Sequence, residues 1–216
     1  MTAPILLYHH VTAGDPPNIY SVSAESFKEQ MDYLYSQGYT PIPISLLVKA
    51  IREGADLPDR PVVITFDDGN QDIYDNAYPI MQEYGFTGTL YLVVNYLDVD
   101  TFLSSDEAIE MYKAGWEIGS HSMSHPLLND MLRAIYYQVA DSKKILMDDI
   151  GSPVNTYAYP FGETNYDITT KVIDAYTAAV GLGDSYTHSM ANIYYLDRIE
   201  VRSDTDITAF AHALPW

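Results

Sequence analysis

The chain has 216 residues, 47% hydrophobic and 19% charged, the composition of a globular protein with one substantial core. It has no cysteine, so disulfides and thiolate metal sites are excluded, and any metal must be held by His and carboxylate side chains. A net charge of −19, from 11 basic and 30 acidic residues, argues against nucleic acid or an anionic membrane as partner. The acidic surface either serves solubility or attracts a cationic polymer.

Short apolar runs predict strands along the whole chain, each bounded by turn residues. They lie at residues 4–8, 39–42, 61–66, 86–94, 116–119, 154–158, 179–182 and 198–201. Helical spacing of apolar residues predicts the segments between them to be helices, several of which end at glycine. These lie at residues 25–37, 45–53, 71–84, 105–114, 129–150, 168–178 and 207–214.

Seven or eight strand–helix units indicate a parallel sheet with helices outside it. No glycine-rich nucleotide fingerprint follows any predicted strand, which argues against an open doubly wound sheet. We therefore expect an α/β fold: a distorted (β/α) barrel of about seven parallel strands, with residues 1–216 forming a single catalytic domain.

Two polar segments that follow predicted strands carry the candidate chemistry. Residues 65–69 read Thr-Phe-Asp-Asp-Gly, and residues 121–125 read His-Ser-Met-Ser-His. One Asp and two His make a ligand set for a divalent metal with coordination positions left open, as in catalytic metal sites. The second Asp is then left for proton transfer. The pair of segments predicts metal-assisted hydrolysis.

Two further segments also follow predicted strands. Residues 159–162, which read Tyr-Pro-Phe-Gly, follow the strand that ends at Ala158, and His9 and His10 follow the first strand. In a parallel barrel the C-terminal ends of the strands share one face, where catalytic loops gather. Each segment alone is commonly a turn or an incidental pair, but together they predict one site at that rim. If the first strand continued through His9 and His10, their side chains would point to opposite sides.

Three of these segments resemble the first three motifs of the polysaccharide deacetylases, carbohydrate esterase family four. The resemblance covers nearly the whole chain and agrees with a distorted (β/α) barrel. It implies Asp67 as the catalytic base, and Asp68, His121 and His125 as ligands of one divalent metal ion. Zinc is the expected metal, with cobalt, nickel and iron as alternatives.

The chain departs from that family's pattern in three places. Ala158 stands where the third motif usually has an Arg that braces the base, the fourth motif with its Asp and Trp is not recognisable, and the late Leu-x-His that supplies the acid is missing. The start of the chain, residues 6–11, is instead similar to a permuted branch that includes deacetylases of poly-N-acetylglucosamine. There a Tyr-His near the N-terminus supplies the acid, which makes His9 the candidate, with His10 as the alternative.

Other residues near this rim are candidates for supporting roles. The resemblance implies that a backbone N–H near Phe161 binds the oxyanion; Pro160 has no N–H to offer. Tyr159 and Pro160 are candidates for contact with the substrate. Arg198, or else Arg202, is a candidate to replace the missing brace.

These roles predict removal of N-acetyl groups from a poly- or oligosaccharide that contains N-acetylglucosamine. Two alternatives stay open: an acetylxylan-type O-acetyl esterase, which needs no proton on a leaving amine, and a carbohydrate-binding pseudoenzyme on the same fold. The expected partner is an acetylated carbohydrate. No stretch approaches the ~18 apolar residues of a membrane span, so membrane insertion is not expected.

The N-terminus lacks the basic start and cleavage region of a signal peptide. Either the protein is cytoplasmic, or the sequence is a mature or excised domain whose export signal was removed. We expect the second case, with an extracellular or cell-envelope location.

Overall fold

The strands of the protein form one large parallel sheet and one small one. The computed structural model describes residues 1–128 and 134–216. The strands are β1 (Ile5–Tyr8), β2 (His10–Thr12), β3 (Ser21–Ser23), β4 (Thr40–Pro41), β5 (Pro61–Asp68), β6 (Thr89–Leu92), β7 (Glu117–Ser120), β8 (Val154–Ala158), β9 (Ala178–Val180) and β10 (Ile199–Glu200).

Seven of these strands lie side by side in the order β10-β1-β5-β6-β7-β8-β9, and β4 pairs with the start of β5. The pairs are all parallel, and the sheet curls into a half-barrel with helices. The predicted fold class is confirmed: an α/β protein with a distorted (β/α) barrel.

Helices lie between the strands. They are α1 (Ala24–Ser36), α2 (Ile44–Glu53), α3 (Tyr78–Glu83), α4 (Ser105–Lys113), α5 (Ser142–Ile150), α6 (Tyr166–Ala175) and α7 (Ile207–His212). Two π-helical turns, Ile73–Ala77 and Tyr137–Asp141, precede α3 and α5. The predicted helix at 129–150 begins at residues 129–133, which lie outside the described residues; the others agree with the prediction within a few residues.

The small sheet, β2 paired with β3, was not predicted from the sequence. Each of its strands has three residues and only one apolar side chain, Val11 or Val22, so no alternating pattern marks it. The first strand ends at Tyr8 and the chain resumes extended structure at His10. The strand is therefore interrupted at His9, and the argument that His9 and His10 point to opposite sides, which needs a continuous strand, does not apply.

The segment at residues 196–201 connects the two edges of the large sheet. Leu196 N donates to Ala179 O and Gly181 N donates to Leu196 O, both at 2.9 Å, next to β9. On the other side, Val201 N donates to Leu7 O at 2.9 Å, and β10 pairs with β1. This closing segment therefore brings residues from the end of the chain next to its first strand.

Side chains alternate between two cores along the central strand β5. Val62, Ile64 and Phe66 belong to the larger core, together with residues from α1, α3 and α4. Val63 belongs to the smaller core, which includes Tyr91. Because side chains alternate along a strand, Asp67 faces the same side of β5 as Val63. No helix among the described residues is both long and apolar enough to cross a lipid bilayer.

Candidate active site

The two carboxylates at the end of β5 reach the same cavity although they are adjacent in sequence. Asp67 continues the strand's alternation and is buried, with 2% of its surface exposed. Asp68 and Gly69 adopt the left-handed backbone conformation, with φ of 72° and 79°. That conformation is uncommon for a non-glycine residue and ends the strand, so Asp68 does not continue the pleat. Both side chains therefore line one pocket.

Arg198, from the closing segment, binds Asp67 with both ends of its guanidinium group. Nη1 donates to Oδ1 at 2.6 Å and Nη2 donates to Oδ2 at 2.7 Å. The guanidinium is itself buried, and its Nε donates to Gly181 O at 3.0 Å. Burial by itself would raise the pKa of the Asp67 carboxyl, but the charges of Arg198 and His121 lower it to about 2. Asp67 is therefore ionised throughout the neutral range.

Asp68, His121 and His125 present one ligand atom each to a common point. These atoms all lie within 4.8 Å of one another. Asp68 Oδ1 lies 3.6 Å from His121 Nε2 and 3.5 Å from His125 Nε2. That oxygen is buried and has no hydrogen-bond partner among the described residues, an arrangement that is costly unless a cation binds there. The donor set therefore fits a divalent metal.

The ring nitrogens of the two histidines are oriented for the same purpose. His121 Nδ1 lies 2.9 Å from Ala158 O, to which it donates, so Nε2 is the ring nitrogen that faces the site. Burial, and then the neighbouring His121 ring, lowers the pKa of His125. A lowered pKa favours the neutral imidazole, the form that binds metal.

The loop that carries these histidines is held by a residue that sequence reasoning missed. Gln138, buried in the second π-helical turn, accepts hydrogen bonds from Met123 N and Ser124 N, each at 3.1 Å. Ser122 and His125 both have positive φ, 78° and 52°, so the loop needs such support. A polar residue in a helical pattern gives no sequence signal for this role.

His9 and His10 both line the pocket, in different environments. His9 Nδ1 is buried without a hydrogen-bond partner in the described part of the chain, and burial lowers the pKa of its ring, although Asp67 and Asp68 act in the opposite direction. His10 Nδ1 donates to Asp72 Oδ2 at 2.8 Å, and this bond raises the pKa of His10. Nothing in the sequence indicates that Asp72 contacts His10.

The turn after β8 presents Phe161 to the site. Phe161 has φ of 59°, and its ring meets the His125 ring edge to face, with centroids 4.5 Å apart. Gly162 N donates to Tyr159 O at 2.9 Å, and the Tyr195 hydroxyl donates to Gly162 O at 2.7 Å. Tyr195, a second residue that sequence reasoning did not identify, thus helps to fix the strained turn.

The other predicted residues of this region lie in different positions. Tyr159 lines the pocket but is buried, and its hydroxyl donates to Tyr194 O at 3.0 Å. Pro160, the first residue of the turn, is buried and is not among the described residues that line the pocket. Arg202 lines the pocket and pairs with Glu200, while the carboxylate of Asp67 is bound by Arg198.

The pocket has a volume of about 440 Å³, within the range of small-ligand sites. It combines a buried carboxylate, three potential metal ligands, two imidazoles and a strained backbone turn. Such a set can activate water, bind a developing oxyanion and deliver a proton, which are the requirements for hydrolysis of an acyl group.

Comparisons with known proteins are consistent with this chemistry. The family model described as polysaccharide deacetylase matches residues 54–179. YxkH of Bacillus subtilis (strain 168) is 29% identical over 213 residues, which cover 96% of this chain and 74% of that protein. The poly-beta-1,6-N-acetyl-D-glucosamine N-deacetylase of Staphylococcus aureus (strain MSSA476) is also 29% identical over 213 residues, covering 90% of this chain and 71% of that protein.

Two solved structures have a similar fold. A polysaccharide deacetylase from Bacillus cereus, 25% identical, superposes with a TM-score of 0.87 over 99% of this chain and 69% of that chain. The Streptococcus pyogenes deacetylase PplD, 22% identical, superposes with a TM-score of 0.92 over 100% of this chain and 99% of that chain. The likeness to PplD concerns the fold alone.

Proposed function

Since this chain belongs to the polysaccharide deacetylase family, we propose that it removes N-acetyl groups from a poly- or oligosaccharide containing N-acetylglucosamine, in a metal-dependent reaction. The observation that carries the proposal is the placement of Asp67, fixed by Arg198, beside the Asp68, His121 and His125 ligand set. The named activity of the Staphylococcus aureus relative supports the substrate class. Such polymers are encountered outside the cell or in its envelope, and we propose that location.

In the proposed reaction each residue has one task. A divalent ion, most simply zinc, held by Asp68, His121 and His125 would lower the pKa of a water molecule from ~15.7 toward ~7 and polarise the acetyl carbonyl. Asp67 accepts the proton of the attacking water, as its ionised state allows. The Phe161 N–H donates to the oxyanion as the carbon–oxygen bond forms.

The second half of the reaction breaks the carbon–nitrogen bond. The amine is a poor leaving group and needs a proton, which His9 donates to the departing nitrogen. The products are acetate and a free amino sugar. An O-acetyl esterase has no such requirement, because an alkoxide leaves more readily, so the dependence on the acid separates the two alternatives. A pseudoenzyme would release no acetate from either substrate.

Metal removal tests the proposal most directly. We expect a chelator to abolish acetate release from a short β-1,6-linked N-acetylglucosamine oligomer, and added zinc to restore it. We expect His125→Ala to weaken zinc binding by about 100-fold or more, since even the outer partners of metal ligands are worth about 10–100-fold. His212→Ala, at an exposed position on α7, is the matched control. Undiminished turnover after complete metal removal would contradict the proposal.

The identity of the acid is tested by comparing two neighbouring variants. We expect His9→Ala to reduce release of acetate from the N-acetyl substrate by about 10²–10⁴-fold, the typical worth of a positioned acid. His10→Ala should cost less, because its Nδ1 is engaged by Asp72. Acetylxylan measured in parallel should show a smaller effect of His9→Ala. Near-normal rates for both variants would show that neither histidine is the acid.

A further inference from the structure

One side of the pocket carries polar groups for which the proposed reaction has no task. This side is formed by the loop before β3 and the residues at the end of β10. Its side chains are Asn18, Tyr20, Glu200 and Arg202, and we call them the β10 side of the pocket. Phe161 and Leu182 add apolar side chains to the lining of the same pocket. The pocket therefore offers both apolar surface and polar groups that the proposed reaction leaves unused.

Tyr20 is held in place next to the candidate acid. Its ring centroid lies 5.4 Å from that of His9, and 47% of its surface is exposed. The Tyr20 N–H donates to Asn18 Oδ1 at 2.8 Å, and Tyr20 O accepts from His10 N at 3.3 Å. Ser203 N donates to Ile19 O at 3.0 Å, which ties the loop to the end of β10. A fixed, half-exposed aromatic ring therefore faces the pocket.

Arg202 presents an unused hydrogen-bonding edge to the same space. Its Nε donates to Glu200 Oε2, and Glu200 is mostly buried whereas 46% of the Arg202 side chain is exposed. The terminal nitrogens Nη1 and Nη2 have no hydrogen-bond partner within residues 1–128 and 134–216. The ion pair with Glu200 fixes the orientation of the guanidinium plane and leaves its outer edge free to bind two oxygens of a ligand.

The orientation of the substrate in the proposed reaction determines which part of it Tyr20 and Arg202 can contact. In that reaction the acetyl carbonyl lies between the metal ligands and the Phe161 N–H. The nitrogen departs toward His9, and the sugar ring that carries it lies on the same side. Tyr20 lies next to His9, and Arg202 lines the same pocket.

We propose that Tyr20 and Arg202 form a sugar-binding subsite, in which the tyrosine ring packs against a pyranose face and the guanidinium edge binds two neighbouring sugar hydroxyls. The inference rests on the proposed function and deepens it, because it makes the β10 side the part of the site that selects a carbohydrate chain over other acetylated molecules. Ligand sites of this kind combine aromatic ring faces with a small number of polar groups that are held in fixed positions.

Binding is measured in the inactive Asp67→Asn background, so that the result does not depend on turnover. With a short β-1,6-linked N-acetylglucosamine oligomer as probe, we expect Arg202→Ala and Tyr20→Ala each to weaken the dissociation constant by about tenfold in calorimetric titration, the worth of one charge-assisted hydrogen bond or one ring contact. Tyr20→Phe keeps the ring and should bind as the parent does. Arg60→Ala and Tyr35→Ala, both exposed elsewhere, are the controls.

In the active protein the same variants are compared on two substrates. The ratio of kcat/KM for the oligomer to that for para-nitrophenyl acetate should fall about tenfold in Arg202→Ala and Tyr20→Ala, and a preserved thermal transition shows that each variant folds. An equal fall on both substrates, or unchanged binding, overturns the subsite. If the parent enzyme releases no acetate from the oligomer but binds it through Tyr20 and Arg202, the proposed function fails while the subsite stands.

Discussion

Asp67→Asn is expected to reduce acetate release by about 10²–10⁴-fold while the protein still binds its metal. The amide has the shape of the carboxylate but cannot accept a proton from water. The proposed metal ligands Asp68, His121 and His125 are unchanged by the substitution, so metal content should stay close to that of the parent. The measurements are acetate release and metal content by mass spectrometry, on the same samples.

Asp174→Asn is the matched control for this variant, because Asp174 is exposed on α6 and pairs with Lys171 at the surface. Its activity should equal that of the parent. If Asp67→Asn deacetylates the oligomer at the parent rate, Asp67 is not the base. If it loses the metal together with the activity, Asp67 belongs to the ligand set instead, and the division of roles between the two carboxylates is wrong.

Arg198→Gln is expected to lower the free energy of unfolding by about 3–5 kcal/mol and to remove most of the activity. The Asp67 carboxylate is buried, and without the guanidinium it loses the two hydrogen bonds and the opposite charge that stabilise it there. The double variant Asp67→Asn/Arg198→Gln should lose less stability than the sum of the two single variants, because neither charge is then left alone. Urea unfolding of the metal-free proteins measures all three, with Arg60→Gln as the exposed control.

The same pair gives a pH dependence whose sign is fixed. The pKa of the Asp67 carboxyl falls from 3.8 to about 2 on folding. Its contribution to stability is therefore fully present above pH 3.8 and is lost as the pH falls toward 2. In Arg198→Gln, burial still raises the pKa of Asp67 while the main charge that lowers it is absent, so this acid-dependent loss should be smaller, and the stability difference from the parent should shrink as the pH falls toward 2. Identical acid unfolding curves for the parent and Arg198→Gln would contradict the strong coupling seen in the structure.

The sequence predicted the frame of the protein because local patterns determine it. The apolar runs that became β5 to β8 are continuous, and the helices between them have clear amphipathic spacing and end signals, such as Gly54 with φ of 74° after α2. β2 and β3 were missed because three-residue strands with polar side chains have no pattern above background.

The candidate site was predictable where its chemistry is adjacent in sequence. Asp67 and Asp68 are neighbours, and His121 and His125 lie within one loop, so spacing alone suggested a ligand set. Contacts between distant parts of the chain were harder to predict: Gln138 supports the histidine loop from a helix, and Arg198 and Arg202 flank the two-residue strand β10, so the sequence did not decide which of them reaches Asp67. Only the fold specifies these contacts.

The closing segment at 196–201 links catalysis to the completion of folding. Arg198 and Asp67 are separated by 131 positions, so the ion pair forms only when the last strand has joined the first. Contacts of such long range are entropically costly and are expected to form late. A partly folded chain would therefore have the proposed metal ligands but no fixed base. On the proposed mechanism, activity would begin only once both ends of the chain have met, so it would report on the complete fold.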